Sequence, residues 1–171
     1  AWVESYAPIG QLNSSYTTDP EALWQNLGTN SSSSSNGLTM SVSSELTEMN
    51  YAVFANNNTT GTSTSDLPSG VGLRSGRIWQ VDEKGTVAPE VNFDVDESNI
   101  LSTFAHGANA NKLLYRSSSS GDFSILASGI TTYRNTKSVD FNAVDLDSGY
   151  FYTLGLSSSL LSDGTHGSTS W

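Results

Sequence analysis

Residues 77–81 read Arg77-Ile78-Trp79-Gln80-Val81, and this stretch decides the fold class. Successive side chains of an extended chain point to opposite faces, so Arg77, Trp79 and Val81 share one face and Ile78 lies on the other. A large aromatic ring on a face shared with valine is typical of a core-facing strand surface. The stretch therefore predicts a β-strand.

Further strands are predicted on both sides of this one. Leu38, Met40 and Val42 alternate with polar residues, and further strands are predicted at 51–55, 91–95, 112–116, 125–126, 130–133, 139–141 and 150–156. Turn residues separate these strands, and no helical pattern lies between them. We therefore expect an all-β fold, an antiparallel β-sandwich of the jelly-roll or Ig-like kind. Four rings are expected in its shared interior: Trp79, Phe93, Phe141 and Phe151.

One short helix is predicted near the N-terminus. Asp19 can cap it, Pro20 suits its first position and Gly28 ends it. The serine run Ser31–Ser35 is interpreted as a flexible loop.

The expected organisation is a single domain in three parts. Residues 1–37 form an N-terminal arm, the short helix and the serine-rich loop; residues 38–156 form the sandwich core; residues 157–171 form a polar tail. The chain starts at Ala1, as expected of a mature N-terminus after signal cleavage or of an excised domain.

Composition narrows the function classes. The chain has 171 residues, of which 36% are hydrophobic and 14% charged, with a formal net charge of −10. Such an acidic surface repels phosphate backbones, so nucleic acid is not an expected partner. The chain has no cysteine, which excludes thiol catalysis and cysteine-ligated zinc. No apolar run approaches the ~20 residues of a spanning helix, so we do not expect the chain to cross a membrane.

A series of motifs carries a family resemblance. The series runs from Asp66 to Gly155 and comprises D-L-P-S-G-V at 66–71, R-I-W-Q-V-D-E-K-G-T-V at 77–87, Phe93-Asp94, Leu113-Leu114, G-D-F-S at 121–124, V-D-F-N-A-V at 139–144 and G-Y-F-Y-T-L-G at 149–155. In this order the motifs resemble a β-rich module of large bacterial secreted and cell-surface proteins, often found beside concanavalin-like or adhesin modules. The resemblance implies an extracellular location and a sandwich-like fold, and it implies no defined activity.

Two groups of acidic residues are candidates for a structural calcium site. Asp94, Asp96 and Ser98 alternate at a strand end, and Asp145 and Asp147 form a second group. Calcium takes six to eight oxygen ligands, which the two loops could supply if they meet. Solvated turn acids are the alternative interpretation, and it is the favoured one. No other cofactor is expected.

Catalytic motifs are absent from the sequence. Neither of the two histidines, His106 and His166, lies near a second His, Cys or Glu at ligand spacing, and neither a nucleophile elbow nor a phosphate loop occurs. Trp79 with Arg77, Asp82 and Glu83 could form a sugar platform, but a core tryptophan with paired or capping charges is favoured. We therefore do not expect an enzyme.

Two functions remain open. The first is a non-catalytic extracellular module of a bacterial secreted protein, which adheres to a surface or binds a glycan or peptide there through its loops. The second is a structural subunit of an extracellular fibre or matrix. In that case the arm residues Trp2, Val3, Tyr6 and Ile9 add a strand to the open edge of another copy. The position of the arm distinguishes the two.

Overall fold

The structure is a computed structural model that describes residues 6–10, 32–35, 38–41, 50–57, 59–85, 90–94, 110–132, 138–142 and 144–161. These residues form β1 (Tyr6–Gly10), β2 (Ser32–Ser35), β3 (Leu38–Ser41), β4 (Tyr51–Asn56), β5 (Thr62–Ser63), β6 (Val71–Ser75), β7 (Trp79–Lys84), β8 (Glu90–Asp94), β9 (Asn111–Arg116), β10 (Ser124–Thr132), β11 (Ser138–Phe141) and β12 (Phe151–Ser157), followed by one helical turn, α1 (Ser158–Leu161).

The strands form one antiparallel sheet that curls on itself. Its order is β1-β4-β7-β12-β9-β10-β11-β8-β3-β2, and β6 pairs with β12 and carries β5 at its other side. The two ends of this path, β1 and β2, lie beside each other. The all-β, antiparallel prediction is therefore confirmed, whereas the sandwich type stays a prediction and the predicted helix lies outside the described residues.

Strand β10 joins the two halves of the sheet. Residues Ser124–Gly129 pair with β9, and Ile130–Thr132 pair with β11. At Gly129, where β10 changes partners, an added Cβ would lie 2.7 Å from Cε1 of Phe141. Because Gly129 has no side chain, the side chains of Phe141 and Val139 can pack directly against the backbone of β10.

The larger of two hydrophobic clusters among the described residues forms the main core. It combines residues of both halves, among them Leu38, Met40, Phe54, Trp79, Val81, Leu113, Val139, Phe141, Tyr152 and Leu154. The burial predicted for Trp79 and Phe141 is confirmed. The side chain of Phe93 lies outside the described residues. Burial of such rings and aliphatic chains removes apolar surface from water, at about 25 cal/mol per Å².

The prediction for Phe151 is wrong in its detail. Phe151 is buried, but it packs in a second cluster with Val71, Ile78, Leu114 and Phe123 instead of the shared core. Phe151 and Tyr152 are both buried, one in each cluster, because successive side chains of a strand point to opposite faces. The strand is therefore buried on both sides.

The serine run is not a loop throughout. Ser32–Ser35 forms β2, which pairs with β3 from Ser32↔Ser41 to Ser35↔Leu38. Serine has little intrinsic strand preference, but pairing with a neighbour outweighs it. Two further predictions differ in extent: the strand expected from Arg77 begins at Trp79, and the chain expected to be a tail from residue 157 continues β12 through Ser157 into α1.

Candidate functional site

The N-terminal arm lies on its own domain. β1 pairs with β4 in antiparallel register from Tyr6↔Ala55 to Gly10↔Tyr51, which places Tyr6 and Ile9 in an outer strand of the sheet. Pro8 lacks a backbone N–H and is tolerated there because β1 lies at the end of the strand path. Trp2 and Val3 lie outside the described residues.

The first predicted calcium group lies at one end of the β8–β11 pair. Asp94 is the last residue of β8 and stands opposite Ser138, the first residue of β11. Asp96 and Ser98 lie outside the described residues.

The second predicted group leaves from the other end of β11. Asp145 and Asp147 are exposed and lie in the segment between β11 and β12. Because β11 runs from Ser138 to Phe141, the backbone of Asp94 is at the start of this strand and the loop with Asp145 and Asp147 follows its end. The structure thus keeps the second pair together and does not place Asp94 beside it.

The loop before β12 is fixed to β7 by backbone hydrogen bonds. Gly149 N donates to the carbonyl of Val81 at 2.8 Å, and Val81 N donates to the carbonyl of Tyr150 at 3.0 Å. The hydroxyl of Tyr152 accepts from the backbone N–H of Asp147 at 2.7 Å. Burial raises the pKa of this tyrosine well above its usual range, so its hydroxyl stays protonated.

Ser148 connects the loop to the end of β7. Its hydroxyl accepts from the backbone N–H of Glu83 at 3.2 Å and donates to a carboxylate oxygen of Asp82. The hydrogen bonds between the loop and β7 bring Asp82 and Glu83 close to Asp145 and Asp147. We call these four residues the acidic cluster.

Within the acidic cluster, Glu83 has a raised pKa. Its Oε2 atom is buried, with no hydrogen-bond partner. Burial, then the negative charges of Asp145, Asp147 and Asp82, raise its pKa from the usual 4.5 to about 7. The cluster thus holds a proton near neutral pH and favours cations nearby. Among the described residues, however, no group of three or more His, Cys, Asp or Glu side chains is arranged to hold a metal ion.

The first half of this cluster has no signal in the local sequence pattern. That pattern predicts Asp82 and Glu83 as acids that cap a hairpin, whereas the contact between β7 and the β11–β12 loop joins residues more than 60 positions apart. The alternative in which Trp79 forms a sugar platform is not supported, since this ring is fully buried. Arg77 is buried too, and its Nε donates to the carbonyl of Thr59 at 3.2 Å.

A second charged group, formed by Asp66, Arg74 and Arg116, connects the loop before β6 to the turn between β9 and β10. Arg74 and Arg116 both contact Oδ2 of Asp66, at 3.5 and 3.3 Å, and the two guanidinium groups lie over the ring of Phe123. Burial lowers the pKa of Arg74, and the charge of Asp66 acts in the opposite direction. Five of the six guanidinium nitrogens of these arginines donate hydrogen bonds within the chain, whereas Nε of Arg116 is buried with no hydrogen-bond partner. These internal bonds give the group a structural role.

His106 and His166 lie outside the described residues, so the structure does not bear on them. In the part of the chain that is described, no helix has the length and apolar composition needed to cross a bilayer.

Comparison with known proteins places the chain in a family. No curated protein and no solved structure matches it. A family model described as a domain of unknown function, DUF8202, matches residues 9–150, which is most of the chain. The protein therefore belongs to the DUF8202 family.

Proposed function

We propose that this protein is a non-catalytic, extracellular β-sandwich module of a bacterial secreted or cell-surface protein, and that it binds a glycan or a peptide on another surface. The pairing of β1 with β4 is the observation that carries the choice. An arm that completes the sheet of its own chain is already used, so it favours a binding module over a fibre subunit joined by the arm.

The acidic cluster is the binding surface that fits this function best. Asp82, Asp145 and Asp147 are exposed, and the loop that carries the last two is fixed to β7 through Val81. A rigid sheet that presents a fixed loop loses little conformational entropy on binding. The surplus of negative charge selects a ligand with ammonium or guanidinium groups, or a glycan joined through calcium.

Calcium enters this proposal as a bridging or stiffening ion. Exposed carboxylates are suitable ligands, and the coordination must be completed by oxygens of the ligand or of water. The extracellular location and the relation to adhesin-associated modules rest on the resemblance of the motif series.

Paired glycan and peptide arrays, run with calcium and with EDTA, test the proposal. We expect binding that EDTA or high salt reduces, and that the double substitution Asp145→Asn with Asp147→Asn abolishes. Asp122→Asn is the matched control, since Asp122 is an exposed acid outside the cluster. The proposal fails if the arrays give no hit, or if the double variant binds as well as the control.

A further inference from the structure

The first half of β10 forms an open edge of the sheet. Residues 124–129 pair with β9 on one side, and only Ile130–Thr132 pair with β11 on the other. In the described part of the chain, no strand pairs with the outer side of residues 124–128. Ile125 and Leu126, which are 42% and 37% exposed, are the exposed large apolar side chains of the described residues.

The other described edges are protected in ways that this one is not. β1 contains Pro8, β2 consists of serines and lies beside β1, and β5 has two residues. Proline, short length and cover by a neighbour are the usual means of preventing edge-to-edge pairing. Residues 124–128 have no proline and no charge, and a bulge at Leu126 is the one feature that interrupts their ladder.

We propose that residues 124–128 pair with the same residues of a second copy of this chain, in antiparallel register around a two-fold axis at Leu126. The segment Ser-Ile-Leu-Ala-Ser is nearly symmetric about its centre. This register sets Ser124 opposite Ser128 and Ile125 opposite the smaller Ala127, and it places the two copies of Leu126 opposite each other on the axis. A contact of this kind uses one patch twice and closes as a dimer, not as a fibre.

The charged residues near the two ends of residues 124–128 are complementary between two antiparallel copies. At one end the Nζ of Lys112 bonds the hydroxyl of Ser128 at 2.7 Å. At the other end the exposed Asp122 precedes β10. Antiparallel pairing turns the Asp122 end of each copy towards the Lys112 end of the other. Complementary ends set the register, while the net charge of −10 on each copy opposes association over longer distances.

The contact is too small for a permanent dimer. Five residues of edge and two exposed side chains bury far less than the ~1,200 Å² of a stable interface. Pairing ends near Ile130, where β11 occupies the edge. We therefore expect a reversible dimer that forms at about 0.1–1 mM chain and strengthens with salt, because salt screens the repulsion between copies.

Sedimentation velocity over a concentration series tests this. The weight-average mass is expected to rise from 18.2 kDa towards twice that value, and to rise at lower protein concentration in ~0.5 M than in ~0.05 M NaCl. Leu126→Lys places two like charges on the two-fold axis, so this variant is expected to stay monomeric throughout. Thr62→Lys makes the same charge change at the exposed β5 edge and is expected to behave as the unsubstituted chain.

Disulfide trapping tests the register. The chain has no cysteine, so Leu126→Cys introduces the sole thiol. At the proposed axis the two copies of position 126 face each other, and mild oxidation is expected to join them at least several-fold faster than in Thr62→Cys. Amide exchange of residues 124–128 is expected to slow as the concentration of the unsubstituted chain rises.

Three results would overturn the proposal. If the chain stays monomeric at every concentration and salt level, a second copy does not pair with this edge, and an extended segment of a different protein becomes the candidate partner. A dimer that Leu126→Lys does not weaken lies elsewhere on the surface. Equal oxidation rates at positions 126 and 62 exclude the two-fold register. None of these outcomes depends on the ligand of the acidic cluster, so this proposal and the proposed function can fail separately.

Discussion

Arg116 stacks on Phe123, with its guanidinium carbon 4.2 Å from the ring centroid. Its Nη1 and Nη2 donate to the carbonyls of Gly121 and Ser119 at 2.7 and 2.8 Å, so one side chain closes the turn between β9 and β10. Asp66, on the loop before β6, contacts both Arg116 and Arg74. This arrangement ties two outer loops to the second hydrophobic cluster.

Arg116→Ala is expected to lower the free energy of unfolding by about 3 kcal/mol, because the partly buried bonds to the carbonyls of Ser119 and Gly121 are lost and Asp66 loses one of its two cations. Arg116→Lys is expected to recover less than half of this, since an ammonium cannot make the same forked contacts. Urea unfolding measures both. Lys84→Ala, which removes an exposed charge, is the control. A loss no larger than that of the control would show that the contacts of Arg116 do not contribute.

Glu83 makes stability depend on pH. Its pKa is about 7 in the folded chain and 4.5 is usual, so the folded state binds the proton more tightly than the unfolded state. The contribution of Glu83 to stability is therefore largest below pH 4.5, falls between pH 4.5 and 7, and is absent above pH 7. Because the carboxyl is partly exposed, screening reduces the effect to about 1 kcal/mol.

Glu83→Gln is expected to raise the melting temperature at pH 8 and to flatten its decline between pH 4.5 and 7. Thermal unfolding followed by circular dichroism across this range is the measurement. Asp122→Asn changes the net charge equally at an exposed site outside the acidic cluster, and its profile is expected to follow that of the unsubstituted chain. If both variants shift alike, net charge and not the environment of Glu83 is responsible.

Removal of residues 1–11 tests the role of the arm. The deletion takes away β1 and opens the edge of β4, so we expect a loss of about 2 kcal/mol or more in urea unfolding and non-specific aggregation. The full chain is expected to show no ordered fibres in negative-stain microscopy. Ordered fibres that form with the arm and disappear without it would support the fibre subunit in place of the binding module.

Local pattern was sufficient to locate most strands. Leu38 and Met40 alternate with polar residues and are both buried in β3, and the predicted strands at 112–116 and 139–141 match β9 and β11 within a residue. Alternation records which side of the chain meets apolar surroundings, and this information is local.

Which strands and loops pair with each other could not be predicted from local pattern. Ser32–Ser35 has no apolar side chain and becomes a strand only because β3 pairs with it. The four acids of the cluster come from two segments that meet through the hydrogen bonds of Val81 and Ser148. Phe151 lies one position before Tyr152, and the second cluster that receives it joins residues of β6, β9 and β12 with Ile78 and Phe123, which lie just before β7 and β10. Local periodicity does not record which of these distant segments pack together.

Gly129 marks the point where β10 passes between the two halves of the sheet. A Cβ at this position would lie 2.7 Å from ring atoms of Phe141 and 2.7 Å from Cγ1 of Val139, closer than carbon atoms pack. Gly129→Ala is therefore expected to destabilise the fold by about 1–3 kcal/mol in urea unfolding, because a core ring must move. Ser124→Ala, at an exposed position of the same strand, is expected to change stability by less than about 0.5 kcal/mol.

A double-mutant cycle separates this clash from the strand preference of alanine. Val139→Ala removes one of the contacting methyl groups, so the cost of Gly129→Ala is expected to be smaller in the Val139→Ala background, with a coupling of about 0.5–1 kcal/mol. Additive costs would mean that β10 moves as a whole to accept the methyl group. In that case the close contact between Gly129 and the core, and with it the tight passage of β10 from β9 to β11, would not be a constraint on the fold.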